Sequence, residues 1–551
     1  MGQIRARTII THNICANRIL KMKKVIIVLA SVLSINAFGQ VEEDKSKTSE
    51  KFARLIELVE KMYVDSVDSP QLVDDAIRAM LEKLDPHSIY IPKKEVESTE
   101  APLKGNFEGV GIRFQILKDT LMVVQTISGG PSEKVGILAG DQIIKIEEEV
   151  VAGVGLKNSG VRERLLGKKG TKVTVEIKRR GENDLLAFEV TRDKIPIYSV
   201  DAAYMLDDGI GYIKINAFAN TTIQEFIKAY VELQEKGMES LVLDLQYNGG
   251  GYLHIAFQLA DQFLGKDELI VYTEGRSFER KDYEATKKGI FEKGKLVVLV
   301  NGQSASASEI VSGAIQDWDR GVVIGRRTFG KGLVQKPMTL TDGSKVRLTT
   351  QRYYTPSGRC IQKDYGEGNV EYRRESRKRY ENGELYSADS IKVPDSLVFK
   401  TLVTGREVYA GGGIIPDIFV PVDTTGVSDY FSKLIRKGIM NRFALEYVNE
   451  NREEMDKDFV SFEAFKKDFK IDKITKKLIK YAEDEGLEYD KEGYKEAENT
   501  IKTQLKARIA QNKWGTSNMY EIMNELDPVV KKAVEILKDG TYDQIELDKN
   551  N

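Results

Sequence analysis

The amino-acid sequence predicts a mixed α+β protein built from several domains. Its 551 residues exceed the roughly 100 to 200 residues of one typical domain, so a single core is not expected. Along the chain the apolar pattern changes from helical, to short β-rich runs, to strands that alternate with helices. A last stretch is rich in Lys and Glu and again helical. We therefore expect a helical segment, a β-domain, a layered core and a C-terminal helical region.

Composition and charge are those of a soluble globular protein, with 41% hydrophobic and 30% charged residues. Lys and Arg number 83 against 85 Asp and Glu, so no global field attracts nucleic acid or an anionic membrane. The only cysteines are Cys15 and Cys360, and the first precedes an expected cleavage point. The mature chain is therefore not expected to form an internal disulfide.

A signal region is expected at residues 1–39. A basic start, an apolar run from Val25 to Leu33 and small residues up to Gly39 form the layout of a signal peptide. The apolar run is shorter than the roughly 20 residues that span a bilayer. Because Met22 opens a complete signal sequence by itself, we place the signal peptide at 22–39. The protein is expected to be exported, with the periplasm as its compartment.

Residues 46–103 predict an N-terminal helical domain. Apolar side chains recur at helical spacing from Leu55 to Met62 and from Val73 to Leu84, and Ser69 is expected to cap the second helix. Residues 104–194 differ, because short β-rich runs there are separated by glycine-rich turns. That pattern predicts a compact β-domain.

Residues 195–425 predict a βαβ-layered core, because strand-like and helical runs alternate there. The expected strands are 211–215, Ser240–Leu245, Leu296–Val300 and Val322–Ile324, and the expected helices are Ile223–Lys236, Tyr252–Phe263 and Ser308–Asp317. In the C-terminal helical region, residues 426–551, the expected helices are Ile471–Glu485, Tyr494–Ala510 and Pro528–Lys538.

A cluster of serines lies between an expected buried strand and an amphipathic helix, at Ser304, Ser306 and Ser308. A helix N-terminus offers unpaired N–H groups and the positive end of the macrodipole, which can hold the oxyanion of an acyl-transfer intermediate. Capping of the helix is the other interpretation. Spacing alone does not separate the three serines.

A nucleophilic serine needs a base, and histidine is scarce. His12 lies in the signal region, His87 in a turn and His254 at the start of a helix, so a structural role is expected for the last two. A desolvated lysine can act instead, because burial lowers its pKa and leaves a neutral amine. Lys331 is the candidate, flanked by glycines and followed by Gln335, which can orient the amine.

The segment from Gly325 to Gly332 also matches a phosphate loop, except that Gly332 replaces the final Ser or Thr. The sequence that follows is strand-like and is expected to stop at Pro337, whereas a phosphate loop must open a helix. Nucleotide binding is therefore rejected. The sequence has no zinc motif, so no cofactor is expected. The glycine run at 249–251 is either a flexible turn or a source of backbone N–H groups for an oxyanion hole.

Together these motifs resemble the C-terminal processing peptidases, also called tail-specific proteases, over residues 50–425. The resemblance rests on these segments: Leu84-Asp-Pro-His-Ser, Gly109-Val-Gly-Ile, Gly140-Asp-Gln-Ile, Asp244 to Gly251, Ser304-Ala-Ser-Ala-Ser-Glu, Phe329-Gly-Lys-Gly, Tyr354-Thr-Pro-Ser-Gly-Arg and Gly413-Ile-Ile-Pro-Asp. It implies a ClpP/crotonase-like protease core and a serine endopeptidase activity on protein C-termini. The alternative is a non-catalytic binding scaffold on the same fold.

Carried over by position, the resemblance implies Ser306 as nucleophile and Lys331 as general base, held by Gln335. The implied oxyanion hole consists of backbone amides from Ala307 and from Gly250 or Gly251. The chain departs from the family pattern at Gln246, where arginine is usual, and at Cys360, where serine is common.

For the β-domain the resemblance implies a PDZ fold whose carboxylate-binding loop is Gly109, Val110, Gly111 and Ile112. Successive N–H groups in such a loop can hold a terminal carboxylate while the tail adds as a strand. The expected partners are proteins with exposed C-termini. Membrane association is expected only through substrates, and the C-terminal region is open to a role in oligomerisation or adaptor docking.

Overall fold

The structure is a computed structural model that describes residues 47–545 and 547. The chain divides into two compact units, Met1–Leu81 and Glu82–Asn551. The expected signal region lies outside the described residues. No helix among the described residues is both long and apolar enough to cross a membrane.

The N-terminal segment contains two helices, α1 at 47–62 and α2 at Ser69–Glu82. The expectation that Ser69 caps α2 is wrong. Ser69 is already helical, and the carboxylate of Asp68 accepts a hydrogen bond from the N–H of Gln71 at 3.1 Å. Aspartate is as strong a helix cap as serine, so the two neighbours compete for the position.

The β-domain is built from short strands and two short helices. Its elements are β2 (Asn106–Gly109), β3 (Ile112–Leu117), β4 (Thr120–Thr126), α4 (Pro131–Lys134), β5 (Gln142–Ile146), β6 (Glu149–Val150), α5 (Asn158–Leu165), β7 (Lys172–Lys178), β8 (Leu186–Thr191) and β9 (Asp193–Pro196). The main sheet has the order β3-β4-β5-β7-β8, so β3 is an edge strand. Inward-facing Val and Ile side chains such as Val123, Ile143 and Ile177 form its core.

The core of the protein is a six-stranded sheet of order β10-β11-β12-β15-β16-β21. Its strands are β10 (Val200–Asp207), β11 (Ile210–Ile215), β12 (Ser240–Asp244), β15 (Lys295–Val300), β16 (Val322–Gly325) and β21 (Ile418–Phe419). All neighbours after the antiparallel β10–β11 pair run parallel. The helices α6 (Thr222–Glu235), α7 (Leu253–Ala260) and α8 (Ala307–Asp317) pack on one face. The expected βαβ-layered core is confirmed.

A second sheet adjoins the core and includes hairpins that the sequence analysis did not resolve. Its strands are β1 (Ile89–Ile91), β13 (Leu269–Gly275), β14 (Phe278–Glu284), β17 (Leu333–Thr339) and β18 (Lys345–Tyr354), and the helix α3 (Lys93–Lys104) follows β1. The expectation that the strand after Lys331 stops at Pro337 is wrong, because Pro337 lies inside β17 opposite Arg347. Among the described strands, β18 is the sole partner of β17, so β17 is an edge strand, where proline is tolerated.

Beyond β18 lie the helix α9 (Asn369–Glu381), two short 3₁₀ turns (Ala388–Ser390 and Asp395–Leu397) and the hairpin β19 (Val398–Lys400) and β20 (Glu407–Tyr409). The C-terminal helices are α10 (Asp429–Arg436), α11 (Ile439–Glu450), α12 (Arg452–Asp458), α13 (Phe462–Asp468), α14 (Ile471–Asp484), α15 (Lys491–Glu496), α16 (Glu498–Lys513), α17 (Thr516–Met523), α18 (Pro528–Lys538) and α19 (Thr541–Gln544).

The C-terminal helices contribute side chains to two hydrophobic cores. Helices α10 to α16 share an aromatic-rich cluster of their own, whereas Val529, Val530 and Ile536 of α18 cover the second face of the six-stranded sheet. The single helix expected at Tyr494–Ala510 is two helices, because α15 ends at Glu496 and α16 starts at Glu498. Ala497, which separates the two helices, and Ile501 are both buried in this cluster, so the apolar spacing continues across the break.

Candidate active site

The glycine run and the serine cluster meet because they follow neighbouring parallel strands. β12 pairs with β15 in parallel, so both loops emerge at the carboxyl edge of the sheet, where sites form in layered α/β folds. The Leu245 N–H donates to the Leu299 carbonyl at 2.9 Å. Across the loops, the Ala305 N–H donates to the Asn248 carbonyl at 3.0 Å.

The three serines have different environments. Ser304 and Ser308 are 0% exposed, and their hydroxyls donate to the carbonyls of Leu245 at 2.8 Å and Asn248 at 2.9 Å. Ser306 is only partly buried and forms a capping box with Glu309, but unlike the other two serines its hydroxyl donates to no carbonyl of a described residue. Its φ of +57° is also unusual for a residue other than glycine. Of the three hydroxyls, that of Ser306 is the one available to a substrate.

The glycine run closes around Ser306. A Cβ placed on Gly250 would lie 2.9 Å from the Ser306 Cβ and 3.0 Å from the Ala307 nitrogen, so only glycine allows this approach. The Gly250 N–H donates to Asn248 Oδ1 at 2.8 Å. Within the described part of the chain, the N–H groups of Gly251 and Ala307 have no acceptor. Ala307 is the first residue of α8, where N–H groups lack intrahelical partners.

Two buried side chains join the main chain of Ser306 to that of Lys331. Glu309 Oε2 accepts the N–H of Ser306 at 2.7 Å and the N–H of Lys331 at 2.9 Å. The Tyr353 hydroxyl lies 3.1 Å from the carbonyl oxygen of Ser306 and 2.6 Å from that of Lys331. The expected nucleophile and the expected base are therefore held at one place by shared partners.

Sequence reasoning assigned no role to Glu309 or Tyr353. Glu309 is 0% exposed, and its Oε1 accepts hydrogen bonds from Thr328 Oγ1 at 2.6 Å and Gly330 N–H at 2.7 Å. Burial raises the pKa of Glu309 while these hydrogen bonds lower it. The signal was present as a Ser-x-x-Glu capping-box pattern at Ser306 to Glu309. Tyr353 carries no such signal, because only the fold brings it to the site.

The Lys331 amine forms a hydrogen bond with the side chain of Gln335. Nζ donates to Gln335 Oε1 at 3.0 Å. Burial lowers the pKa of Lys331, and the positive charge of Arg347 lowers it further, while Glu309 and Asp85 oppose the shift. The β17–β18 register slips between Val334 and Gln335, and such a bulge re-aims side chains beside it.

Neither described histidine is arranged as the base. His87 Nε2 forms a hydrogen bond with the Tyr372 hydroxyl at 2.7 Å. Burial and then the charge of Lys331 lower the pKa of His87 to about 4. The ring of His254 stacks on Tyr252, with 5.3 Å between centroids. In the described part of the chain no group of His, Cys, Asp or Glu side chains is placed to hold a metal ion.

The two residues that depart from the family pattern, Gln246 and Cys360, each form hydrogen bonds to other parts of the fold. Gln246 is buried and its Nε2 donates to Asp527 Oδ2, the N-cap of α18, at 3.1 Å. The glycine run is thus tied to the C-terminal helices. Cys360 is partly buried as a free thiol, and its carbonyl accepts the Gly411 N–H at 2.9 Å, so the loop is held through its backbone.

The glycine loop of the β-domain, Gly109 to Ile112, lies at the start of the edge strand β3. The Val110 carbonyl accepts hydrogen bonds from Ser132 N–H at 3.1 Å and Oγ at 2.7 Å. Gly111 has φ +76°, and a Cβ there would lie 2.9 Å from Ile195 Cδ1. The Val110 carbonyl is thus already hydrogen-bonded within the domain. Among the described residues, no strand pairs with the outer edge of β3.

Four family models match the chain: an activating protease CtpB N-terminal domain at 18–95, a PDZ domain at 109–191, peptidase family S41 at 209–371 and a family of unknown function at 430–515. The fold and these matches define the class as a PDZ-containing serine protease.

Among curated relatives, the carboxy-terminal processing protease CtpB of Bacillus subtilis is 31% identical over 414 residues, covering 74% of this chain and 82% of that protein. The carboxy-terminal-processing protease of Bartonella bacilliformis is 37% identical over 341 residues, covering 61% and 77%. The solved photosystem II D1 C-terminal processing protease is 27% identical, covers 67% of this chain and 92% of its own, and superposes with a TM-score of 0.34. The chain belongs to peptidase family S41, with the carboxy-terminal processing proteases.

Proposed function

We propose that the protein cleaves protein substrates from their C-terminal tails with Ser306 as nucleophile and Lys331 as general base. The observation that carries the proposal is the Glu309 carboxylate oxygen, which accepts both the Ser306 and the Lys331 N–H groups. The lowered pKa of Lys331 supports the role of base, because a neutral amine is needed to accept a proton.

In the proposed reaction, Ser306 Oγ attacks the peptide carbonyl while its proton passes to Lys331 Nζ. The oxyanion is held by the Ala307 N–H and by a glycine N–H, at the positive end of the α8 dipole. Gly251 is favoured over Gly250, because the Gly250 N–H already donates to Asn248. Lys331 then protonates the leaving amine. Water, deprotonated by Lys331, attacks the acyl-enzyme, and Lys331 returns that proton to Ser306 Oγ as the ester bond breaks.

Tail recognition is assigned to the PDZ loop at Gly109, Val110, Gly111 and Ile112. The open edge of β3 supports strand addition by an extended tail, and the loop precedes that edge. The substrates proposed are proteins with an exposed, apolar C-terminus. Export to the periplasm stays a prediction, and N-terminal sequencing of protein recovered from the periplasmic fraction tests cleavage after Gly39.

The dyad is tested with an unfolded reporter protein that ends in an apolar tail. Ser306→Ala and Lys331→Ala are expected to lower cleavage by about 1,000-fold or more, as loss of a nucleophile or its base does in other serine proteases. The matched controls are Ser312→Ala, whose hydroxyl donates within α8, and Lys336→Ala, whose Nζ lies over the Phe278 ring. Cleavage by Ser306→Ala at the wild-type rate would refute the assignment.

The tail role is tested separately with the same reporter carrying a free or an amidated C-terminus. Amidation removes the carboxylate charge, so slower cleavage is expected, with an increase in KM. Equal rates for the two reporters would exclude carboxylate recognition while leaving the dyad untouched.

A further inference from the structure

A turn far from the dyad in sequence reaches the catalytic lysine through one side chain. Gln335 Nε2 donates to the main-chain carbonyl of His87, and Gln335 Oε1 accepts from Lys331 Nζ at 3.0 Å. The two ends of the amide differ, since one donates and the other accepts. The His87 carbonyl therefore determines which end faces the amine.

The orientation of this amide matters for the chemistry. A neutral amine has two N–H donors and one lone pair. When Oε1 faces Nζ, the hydrogen bond uses an N–H of Lys331 and leaves the lone pair free for a serine proton. A flipped Gln335 would present N–H groups to the amine and occupy that lone pair.

Asp85 fixes the turn that carries the His87 carbonyl. Asp85 is 7% exposed. Oδ1 accepts the N–H groups of His87 and Ser88, each at 2.8 Å, and Oδ2 accepts the Ser88 hydroxyl at 2.5 Å. Charge-assisted hydrogen bonds of this kind are about twice as strong as neutral ones.

The same carboxylate ties the turn to the strand opposite Gln335. Thr349 Oγ1 donates to Asp85 Oδ1 at 3.0 Å, and Thr349 is the cross-strand partner of Gln335 in the β17–β18 ladder. The path from Gln335 to His87, to Asp85, to Thr349 and back to Gln335 is a closed ring. A closed ring resists displacement of any one member.

We propose that Asp85 is a positioning residue for the general base, acting through the His87 carbonyl and the Gln335 amide. The proposal rests on the assignment of Lys331 as general base. It gives the Leu84-Asp-Pro-His-Ser turn a role in catalysis that requires no contact with the substrate.

A double-mutant comparison separates this role from general stabilisation. Asp85→Ala is expected to lower kcat by about 10- to 100-fold with KM changed by less than about 2-fold, since small misplacements carry such costs. Asp85→Asn keeps an acceptor oxygen for the two N–H groups and replaces the acceptor of the Ser88 hydroxyl by an NH₂ group that can donate to Ser88 Oγ, so kcat within about 3-fold of wild type is expected. Asp85→Ala in the Gln335→Ala background is expected to cost less than about 2-fold more, because residues acting as a unit are not additive.

The matched control is Asp342→Ala at the far tip of the same hairpin. Asp342 Oδ1 accepts the Ser344 N–H at 3.0 Å and the Ser344 hydroxyl at 2.6 Å, a turn like that of Asp85 but without a link to Lys331. Unchanged kcat is expected there. Effects of Asp85→Ala and Gln335→Ala that multiply would overturn the proposal. If Asp85→Ala does not fold, Thr349→Val removes only the hydrogen bond from the Thr349 hydroxyl to Asp85, and the same non-additivity with Gln335→Ala is expected.

A second readout does not depend on activity. In protein labelled with ¹⁵N-glutamine, the side-chain NH₂ signal of Gln335 is assigned by its loss in Gln335→Ala. Asp85→Ala should shift that signal and speed its hydrogen exchange, and Asp342→Ala should not. A wild type without protease activity would refute the dyad, whereas an unshifted Gln335 signal in Asp85→Ala would refute the positioning role by itself.

Discussion

Replacing Tyr353 by phenylalanine removes the hydroxyl that contacts the main chain of both residues of the proposed dyad. The Tyr353 ring is 1% exposed, and its hydroxyl lies 2.6 Å from the Lys331 carbonyl and 3.1 Å from the Ser306 carbonyl. Burial, with the nearby charge of Glu309, raises the pKa of Tyr353 well above its ordinary value. The hydroxyl therefore remains a donor at every pH at which the enzyme is assayed.

The expected cost has two parts. The hydroxyl has one proton, so the shorter contact to Lys331 is the main hydrogen bond, worth about 0.5 to 1.5 kcal/mol net. A buried carbonyl left without a donor adds a desolvation penalty, so the variant should lose about 1 to 3 kcal/mol of stability in total. Because the lost contact holds the main chain of Lys331, kcat should also fall, by about 10-fold, with little change in KM.

Tyr542→Phe is the matched control for this experiment. Tyr542 is also buried, its hydroxyl accepts the Leu296 N–H at 3.0 Å, and it belongs to the core on the opposite face of the six-stranded sheet. Both variants should lower the thermal unfolding midpoint, whereas only Tyr353→Phe should lower kcat on the tail reporter. Equal kcat values for Tyr353→Phe and wild type would refute the coupling of Ser306 and Lys331 through this hydroxyl.

Two further predictions concern the charges around the lysine and the loop that carries it. Burial and then the charge of Arg347 lower the pKa of Lys331, so kcat should fall as pH drops through that pKa. Arg347→Gln removes one cause of the shift, so it should raise the pKa of Lys331 and move the acid limb of the pH–rate profile to higher pH. Arg352→Gln, exposed on the same strand, should leave that limb where it is. The Arg379 guanidinium donates to the carbonyls of Thr328 at 2.7 Å, Phe329 at 3.3 Å and Gly412 at 3.2 Å, so Arg379→Ala should lower kcat by about 10-fold. Arg377 pairs with Glu381 on the exposed face of α9, so the control variant Arg377→Ala should match wild type. An equal loss of kcat in both variants would contradict the reasoning.

Local patterns predicted much of the core. The strand expected at Ser240–Leu245 is β12 to within one residue, and the helix expected at Pro528–Lys538 has the same bounds as α18. Both have strong local signals, an apolar run in the first and proline in the first helical turn in the second. Prediction failed where the position of a strand in its sheet determines the outcome. Pro337 lies within β17 because β17 is an edge strand, where proline is tolerated.

The candidate site shows the same division. Chemistry-bearing residues can be recognised from sequence because their types and local spacing are constrained, as with the lysine between two glycines and the glutamine four residues later. Spacing could not choose among Ser304, Ser306 and Ser308, because the choice depends on which hydroxyl finds a carbonyl partner after folding.

By itself, the sequence determined the class of fold and the candidate chemistry, through apolar periodicity, glycine-rich turns and the lack of a histidine in a recognisable triad. Only the tertiary structure showed Glu309 and Tyr353 joining two segments that are distant in the chain, and Asp85 holding the glutamine that faces Lys331. The physical reason is that a hydrogen bond requires atoms about 3 Å apart, and for distant segments that proximity is set by the packing of sheets and helices.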